Sequence, residues 1–163
     1  MMKMYCPSLT DYQRWNTRIV MVGDVGVGGD NPIRIQSMTT TDTMDTENTI
    51  SQSIRMIEAG CEIVRITAPS IKEARNLRNI QKGLRKIGYT TPIVADIHFT
   101  PNAAKIAAKI VEKIRINPGN YADRKKFHTY EYTDQSYIEE LERIRDRFVP
   151  LVQICKENGT SMR

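Results

Sequence analysis

The chain has 163 residues, of which 40% are hydrophobic and 26% charged, and its formal net charge is +5. This length and composition are typical of one globular domain with a sizeable core. No apolar run approaches the roughly 20 residues of a membrane helix, and the N-terminal residues lack the apolar centre of a signal peptide. We therefore expect a cytoplasmic protein with no membrane partner.

Three cysteines, Cys6, Cys61 and Cys155, lie far apart and form no CxxC pair. This spacing is typical neither of a disulfide framework nor of a zinc or iron–sulfur site, so we expect buried, reduced thiols and no metal site. The net positive charge is compatible with binding to nucleic acid, a membrane surface or a small anion. Because the lysines and arginines are scattered over predicted helix faces, we expect no nucleic-acid partner.

The first predicted element is a small hairpin at Arg18–Gly28, where the apolar alternation breaks at Gly23-Asp24. The run GDVGVGG lacks the spacing of a nucleotide-binding loop, and no helix follows it. We therefore interpret its glycines as connecting turns.

From Pro32 onward, short apolar strands alternate with helical segments. The predicted strands are Ile33–Met38, Glu62–Thr67, Pro92–His98 and Val111–Asn117. Helix starts are marked by a capping box at Ser70 and Glu73, and by Thr100 before Pro101. This alternation predicts right-handed βαβ units and a parallel sheet.

Apolar stripes give the predicted helices a face for packing. The first helix is expected near Thr46–Ala59, and the third is rich in alanine. The stripe of the second helix consists of Leu77, Ile80, Leu84 and Ile87. The stripe of the last helix, which we expect to kink at Pro150, consists of Ile138, Leu141, Ile144 and Phe148. A turn is predicted at Asn117–Asn120.

Each predicted strand carries two polar side chains, two residues apart, at its C-terminal end. The pairs are Arg34/Gln36, Arg65/Thr67, Asp96/His98 and Arg115/Asn117. Residues two apart on a strand share a face. The opposite face is expected to be apolar, through Ile33, Ile35, Val64, Ile66, Ala95, Ile97, Ile114 and Ile116. Four such strands would gather the polar groups around one concave site, suited to an anion.

Four and a half βα units amount to about half of an eight-stranded (β/α)8 barrel, which usually has about 250 residues. Ser161–Arg163 look like the opening of a fifth strand, so we expect a piece of a longer protein. Residues 1–31 are predicted to form an N-terminal segment with the hairpin, and residues 32–163 the first half of a TIM-barrel substrate-binding domain. Its two open sheet edges predict a homo-oligomer.

Three motifs in order point to a family. Gln36-Ser37-Met38, Asp96–Phe99 within PIVADIHF, and RINPGN at Arg115–Asn120 together resemble the N-terminal half-barrel of the 4-hydroxy-3-methylbut-2-enyl diphosphate synthase family of the non-mevalonate isoprenoid pathway. The resemblance covers Thr17–Arg163 and points to the longer, plant- and chlamydia-type branch. It implies an oxidoreductase that reductively opens 2-C-methyl-D-erythritol 2,4-cyclodiphosphate.

The resemblance also implies a [4Fe-4S] cluster and two electrons from ferredoxin or flavodoxin. It places the cluster ligands in a C-terminal domain outside these 163 residues, and no cysteine of this chain matches a ligand position. We therefore expect the fragment to bind no cluster and to be inactive alone.

The site that the resemblance implies gathers the polar ends of the strands. Its substrate-binding residues are Gln36, Arg65, Asp96, His98, Arg115, Asn117, Asn120 and, in the intact enzyme, Arg163. Asp96 and His98 are the candidate catalytic residues, with His98 as a possible proton donor. Purely structural roles stay open: Arg65 can pair with Asp96, and a Pro-Gly turn needs no function. Arg34 lies deeper, and we do not assign it to the site.

Two other functions stay open. A pterin-binding barrel of the dihydropteroate synthase type also holds a diphosphate ester, and a basic α/β module could bind nucleic acid. His128, Tyr130 and Tyr132 accompany the basic run Arg124–Lys126, an arrangement that could suggest stacking on RNA. The run is short, so we interpret it as a surface loop.

Overall fold

The computed structural model describes residues 10–11, 16–122 and 131–163. Its strands are β1 (Val20–Val22), β2 (Val25–Val27), β3 (Gln36–Met38), β4 (Ile63–Thr67), β5 (Ile93–Ile97), β6 (Lys113–Ile116) and β7 (Ser161–Met162). Its helices are α1 (Thr46–Glu58), α2 (Ile71–Lys86), α3 (Pro101–Ala107), α4 (Pro118–Tyr121) and α5 (Asp134–Asn158). Strands β3 to β7 form one parallel sheet in sequential order, and β1 pairs with β2 as an antiparallel hairpin. The predicted βα repeat and hairpin are confirmed.

The core lies between the helices and one face of the parallel sheet. The strands contribute alternate residues to it, namely Val64, Ile66, Ile93, Ala95, Ile97, Ile114 and Ile116. The helices contribute Leu77, Ile80 and Leu84 of α2, and Ala103, Ala104, Ala107 and Ala108 in and after α3. Because alanine is small, α3 packs closely against both α2 and the sheet. The side chains between these strand residues must therefore point to the other face, away from the helices.

The hairpin packs at the N-terminal ends of the strands. Val22 is fully buried, and a Cβ on Gly23 would lie 3.2 Å from the side chain of Glu112, just before β6. Arg34 ties the hairpin to the sheet: Nε donates to the Gly26 carbonyl at 2.8 Å, and Nη1 donates to the Glu62 carboxylate at 2.7 Å. Arg34 is thus a structural residue, consistent with its omission from the predicted site. The C-terminal strand ends remain for a site, as in other barrels.

The first strand is shorter than predicted, and its expected apolar face is wrong. Ile33 and Ile35 are 75% and 60% exposed, and pairing starts only at Gln36. The physical reason is that α1 packs over β4 and α2 and leaves the residues that lead into β3 uncovered.

Two predicted helix stripes are also partly wrong. Ile87 is exposed because α2 ends at Lys86 and Ile87 is its C-cap. Ile138, Leu141 and Ile144 are exposed because the buried residues of the 25-residue helix α5 are Leu151 and Cys155, in its C-terminal third. Helix α5 extends through Pro150 as one element, and the kink expected at that residue stays a prediction.

Side-chain caps mark the starts of helices α2 and α4. The capping box of Ser70 and Glu73 opens α2 as predicted. The predicted turn at Asn117–Asn120 is instead the start of the short helix α4, capped by the side chain of Asn117. Within the three described ranges, no helix combines the length and hydropathy that crossing a bilayer requires.

A matched pair of isoleucines tests the packing of α2. Ile80 is fully buried and Ile87 is 59% exposed. Ile80→Ala should lower the free energy of unfolding by about 2–5 kcal/mol, because it leaves a cavity. Ile87→Ala should change it by less than about 0.5 kcal/mol. Urea unfolding followed by circular dichroism measures both, and equal losses would contradict the packing described.

We also propose that the 163-residue chain self-associates through its sheet edges. Strands β3 and β7 are the edge strands of the described sheet, and unpaired parallel edges favour pairing with another chain. Sedimentation equilibrium should show dimers or larger species. A clean monomer at high concentration would contradict this expectation.

Candidate anion-binding site

Strand register arranges the inner-face residues in rows, where the inner face is the one opposite the helices. One row runs across all five strands and consists of Met38, Arg65, Val94, Lys113 and Ser161. The next row toward the C-terminal ends consists of Thr67, Asp96 and Arg115. Arg163 extends this second row, because its N–H donates to Ile114 and its carbonyl accepts from Ile116.

Asp96 is the centre of the site. Its side chain is only 4% exposed, its Oδ1 accepts from Nη1 of Arg115 at 3.0 Å, and its Oδ2 accepts from Nη2 of Arg65. Burial raises the pKa of Asp96, but the hydrogen bonds from Arg65 and Arg115 outweigh it and hold the pKa below its ordinary value. Asp96 is therefore a carboxylate that orients two guanidinium groups.

His98 follows β5 at the same end of the sheet. Its Nε2 lies 2.6 Å from Nη1 of Arg115 and 3.4 Å from Oδ2 of Asp96. A guanidinium N–H can only donate, so Nε2 accepts from Arg115 and the ring proton belongs on Nδ1. In this arrangement Nε2 is not a proton donor; the ring N–H that His98 has to offer a ligand is on Nδ1.

The inner face carries more positive than negative charge. Among the described strand residues, its cations are Arg65, Lys113, Arg115 and Arg163, against the side-chain carboxylate of Asp96. Arg65 and Arg115 keep about a quarter of their side chains exposed, at 24% and 26%. Each guanidinium has five N–H donors, and Asp96 and His98 engage only some of them. Such an arrangement suits an anion with several oxygen acceptors, such as a phosphate or diphosphate.

The other predicted site residues lie at varying distances from Asp96. Asn117 lies at the mouth of the strands, where its side chain accepts from the N–H of Gly119 at 3.1 Å. Asn120 is partly buried in α4. Gln36 is in register with Ile63, two residues below the position beside Arg65. The structure therefore does not bring Gln36 to the cluster, and its predicted role as a ligand has no geometric support.

Sequence reasoning missed two inner-face neighbours of the cluster. Met38 occupies the position beside Arg65, where its Sδ lies 3.9 Å from Oγ1 of Thr67. Lys113 lies on β6 directly below Arg115. The two-residue period identifies both, because Met38 follows Gln36 and Lys113 precedes Arg115 by two positions.

The two described cysteines lie in the helix-covered core, away from this face. Cys61 and Cys155 are free and buried, as predicted, and burial raises the pKa of the Cys155 thiol. Among the described residues, no group of three His, Cys, Asp or Glu side chains could hold a metal ion. Cys6 and His128 fall outside the ranges that the structure describes.

The shared carboxylate predicts a defined pH dependence of stability. Asp96→Asn should lower the free energy of unfolding by about 3 kcal/mol at neutral pH, because two guanidinium groups lose their counter-charge. The pKa of Asp96 is depressed in the folded protein. Its stabilisation is therefore complete above the ordinary aspartate pKa and is lost as pH falls through the folded value.

Urea titrations between pH 3 and pH 7 measure this component, which Asp96→Asn should remove. Asp134→Asn, at the exposed start of α5, is the matched control and should keep it. An identical acid profile in wild type and Asp96→Asn would contradict the pairing.

Comparison with known proteins identifies the family of this chain. Residues 17–163 match the model of the GcpE TIM-barrel domain. A 4-hydroxy-3-methylbut-2-en-1-yl diphosphate synthase (flavodoxin) from Akkermansia muciniphila is 56% identical over 163 residues, covering 100% of this chain and 28% of that protein. Proteins of the same name from Parabacteroides distasonis and Leptospira interrogans are each 57% identical, over 94% and 93% of this chain and 25% and 23% of their own lengths.

The chain thus spans about a quarter of the length of the curated relatives it matches. A solved structure of phospho-2-dehydro-3-deoxyheptonate aldolase from Thermotoga maritima has a TM-score of 0.49 and 15% identity, covering 89% of this chain and 44% of that one. That likeness is too low to support an argument. The family match covers the hairpin and all five strands of the parallel sheet. It confirms the resemblance carried by the three motifs, and the chain belongs to the GcpE family.

Proposed function

We propose that this chain forms the diphosphate-binding wall of a 4-hydroxy-3-methylbut-2-en-1-yl diphosphate synthase. The names of relatives at 56–57% identity support the reaction. The observation that carries the assignment of residues is the pair of guanidinium groups, Arg65 and Arg115, held by the buried carboxylate of Asp96. The ligand of this site is the diphosphate of 2-C-methyl-D-erythritol 2,4-cyclodiphosphate.

The two guanidinium groups fit the charge change of this reaction. Reductive opening of the ring breaks a carbon–oxygen bond and leaves additional negative charge on the diphosphate. Cations fixed before the substrate arrives stabilise that charge as it develops, without reorganising. Asp96 lowers the net positive charge of the site. It also holds the guanidinium groups of Arg65 and Arg115 close together, one on each oxygen of its carboxylate. Its role is to preorganise the site.

His98 and Arg163 complete the proposed site. His98 accepts from Arg115 through Nε2, so its Nδ1–H is the group that donates to a phosphate oxygen. Arg163 lies beside Arg115 across the β6–β7 pair and adds a third guanidinium in the intact enzyme. Asn117 and Asn120 contribute at the rim. We keep Asp96 and His98 as the candidate catalytic residues.

The electron supply belongs to another part of the intact enzyme. Relatives carry flavodoxin in their names, and we propose flavodoxin as the electron donor and a [4Fe-4S] cluster as the group that supplies the electrons. The described residues do not fit such a cluster: Cys61 donates to the carbonyl of Ile63 at 3.0 Å, and Cys155 is buried on the core-facing side of α5. We therefore assign the cluster ligands to the remainder of the longer protein.

The family match favours the cyclic diphosphate over a pterin diphosphate and over nucleic acid. Calorimetry on the intact protein distinguishes the first two, since only the cyclic diphosphate should bind tightly. The basic run Arg124–Lys126 lies outside the described residues and adds nothing to the nucleic-acid alternative. A cytoplasmic location remains our expectation.

The substitution Arg65→Ala in the intact enzyme tests the assignment. It should lower kcat/KM at least tenfold, about 1.4 kcal/mol of transition-state stabilisation, because one diphosphate-binding fork is lost. Arg65→Lys should recover only part of the loss, since an ammonium cannot bind bidentately. Arg78→Ala, on the exposed face of α2, is the matched control. Unchanged kinetics for Arg65→Ala would remove this residue from the site.

A further inference from the structure

Lys113 is an inner-face cation that has no role in the proposed reaction as described above. It pairs in register with Val94 on β5 and Ser161 on β7, two residues below Arg115 on its own strand. Because residues two apart share a face, its side chain lies on the same side of the sheet as Arg115 and Asp96. A two-residue step along a strand is about 6.6 Å, so Lys113 lies one layer beneath the anion-binding row.

Among the residues that the structure describes, none forms an ion pair with the ammonium group of Lys113. Lys113 is partly buried. Asp96 is already engaged by Arg65 and Arg115, and Glu112 points to the opposite face, where it binds Arg85. Desolvation by burial and then repulsion from Arg163 lower the pKa of Lys113. A partly buried cation without a partner costs stability.

We propose that Lys113 is a positioning residue for the diphosphate, forming a cationic floor beneath Arg115 and Arg163. This inference rests on the proposed function. The ammonium acts in two ways: it adds positive potential to a site with low-dielectric walls, and it repels the guanidinium of Arg163 away from the floor, toward the ligand. Because it lies a layer below, it strengthens binding without touching the reacting atoms.

The position of Lys113, one layer below the ligand, predicts that its removal weakens substrate binding and leaves turnover nearly unchanged. In the intact enzyme, Lys113→Met should raise the substrate KM and the Kd for inorganic pyrophosphate about fivefold, and leave kcat within twofold. Lys113→Arg should restore most of the affinity. Lys109→Met, an exposed lysine just after α3, is the matched control and should leave both constants unchanged.

A second readout is stability. Removing a partly buried charge that forms no ion pair in the described part of the chain should raise the Tm of Lys113→Met above that of wild type. If Lys113 instead paired with an acid elsewhere in the intact barrel, the same variant would lower the Tm and leave pyrophosphate binding unchanged. That result would overturn the inference.

The third readout is the fall in affinity for pyrophosphate at alkaline pH, the alkaline limb of the binding profile. Because the folded pKa of Lys113 is lowered, its charge is lost below the usual lysine range, and the affinity for pyrophosphate should fall there as pH rises. The charged groups on the inner face around it are Arg163 after β7, Arg115 on its own strand, Asp96 on β5 and Arg65 on β4. The limb should vanish in Lys113→Met, and its persistence would contradict the assignment.

Failure of this inference and of the proposed function can be told apart. If Arg65→Ala weakens pyrophosphate binding and Lys113→Met does not, the proposed role of Lys113 is wrong and the proposed function stands. If Arg65→Ala also leaves pyrophosphate binding unchanged, the proposed diphosphate site fails and the inference fails with it.

Discussion

The site depends on one shared carboxylate. Asp96 lies on a central strand with Arg65 on one side and Arg115 on the other, and it accepts a hydrogen bond from each. Without it, the two guanidinium groups, on the strands that flank β5, would repel each other and turn toward solvent. With it, they are held at fixed positions, and their remaining donors are available to an anion. A buried acid in this setting contributes more to orientation than to stability, because its own desolvation cost offsets much of the attraction.

The rest of the fold fixes that arrangement from both ends of the strands. At the N-terminal end, Arg34 ties the hairpin to Glu62, just before β4. At the C-terminal end, Oγ1 of Thr43 donates to the carbonyl of Thr67 at 2.6 Å, and Nδ2 of Asn76 donates to the carbonyl of Thr43 at 2.7 Å. These bonds tie the loop after β3 to β4 and to α2. The strands that carry the cations are therefore held in register by polar contacts outside the site.

The inner face combines anion binding with a cost in stability. A sheet that gathers four cations around one carboxylate stores repulsion, which an anionic ligand relieves on binding. Lys113 shows this most clearly, because its charge is partly buried and its pKa is lowered. Natural proteins commonly retain such destabilising groups at functional sites. The opposite face of the sheet consists of aliphatic residues because the helices cover it and remove it from water.

Local sequence patterns determined the strand–helix order, the capping box at Ser70 and the common face of Asp96 and His98, because these follow from periodicity and from hydrogen bonds within a few residues. Only the tertiary structure decided which strand positions are neighbours. Register placed Met38 beside Arg65 and left Gln36 one row lower, and it placed Lys113 beneath Arg115. It also decided that Nε2 of His98 accepts from Arg115, and that Ile33 and Ile35 stay uncovered. Strand register, and the choice of which residues other elements cover, depend on the packing of segments far apart in the chain. No local pattern specifies that packing.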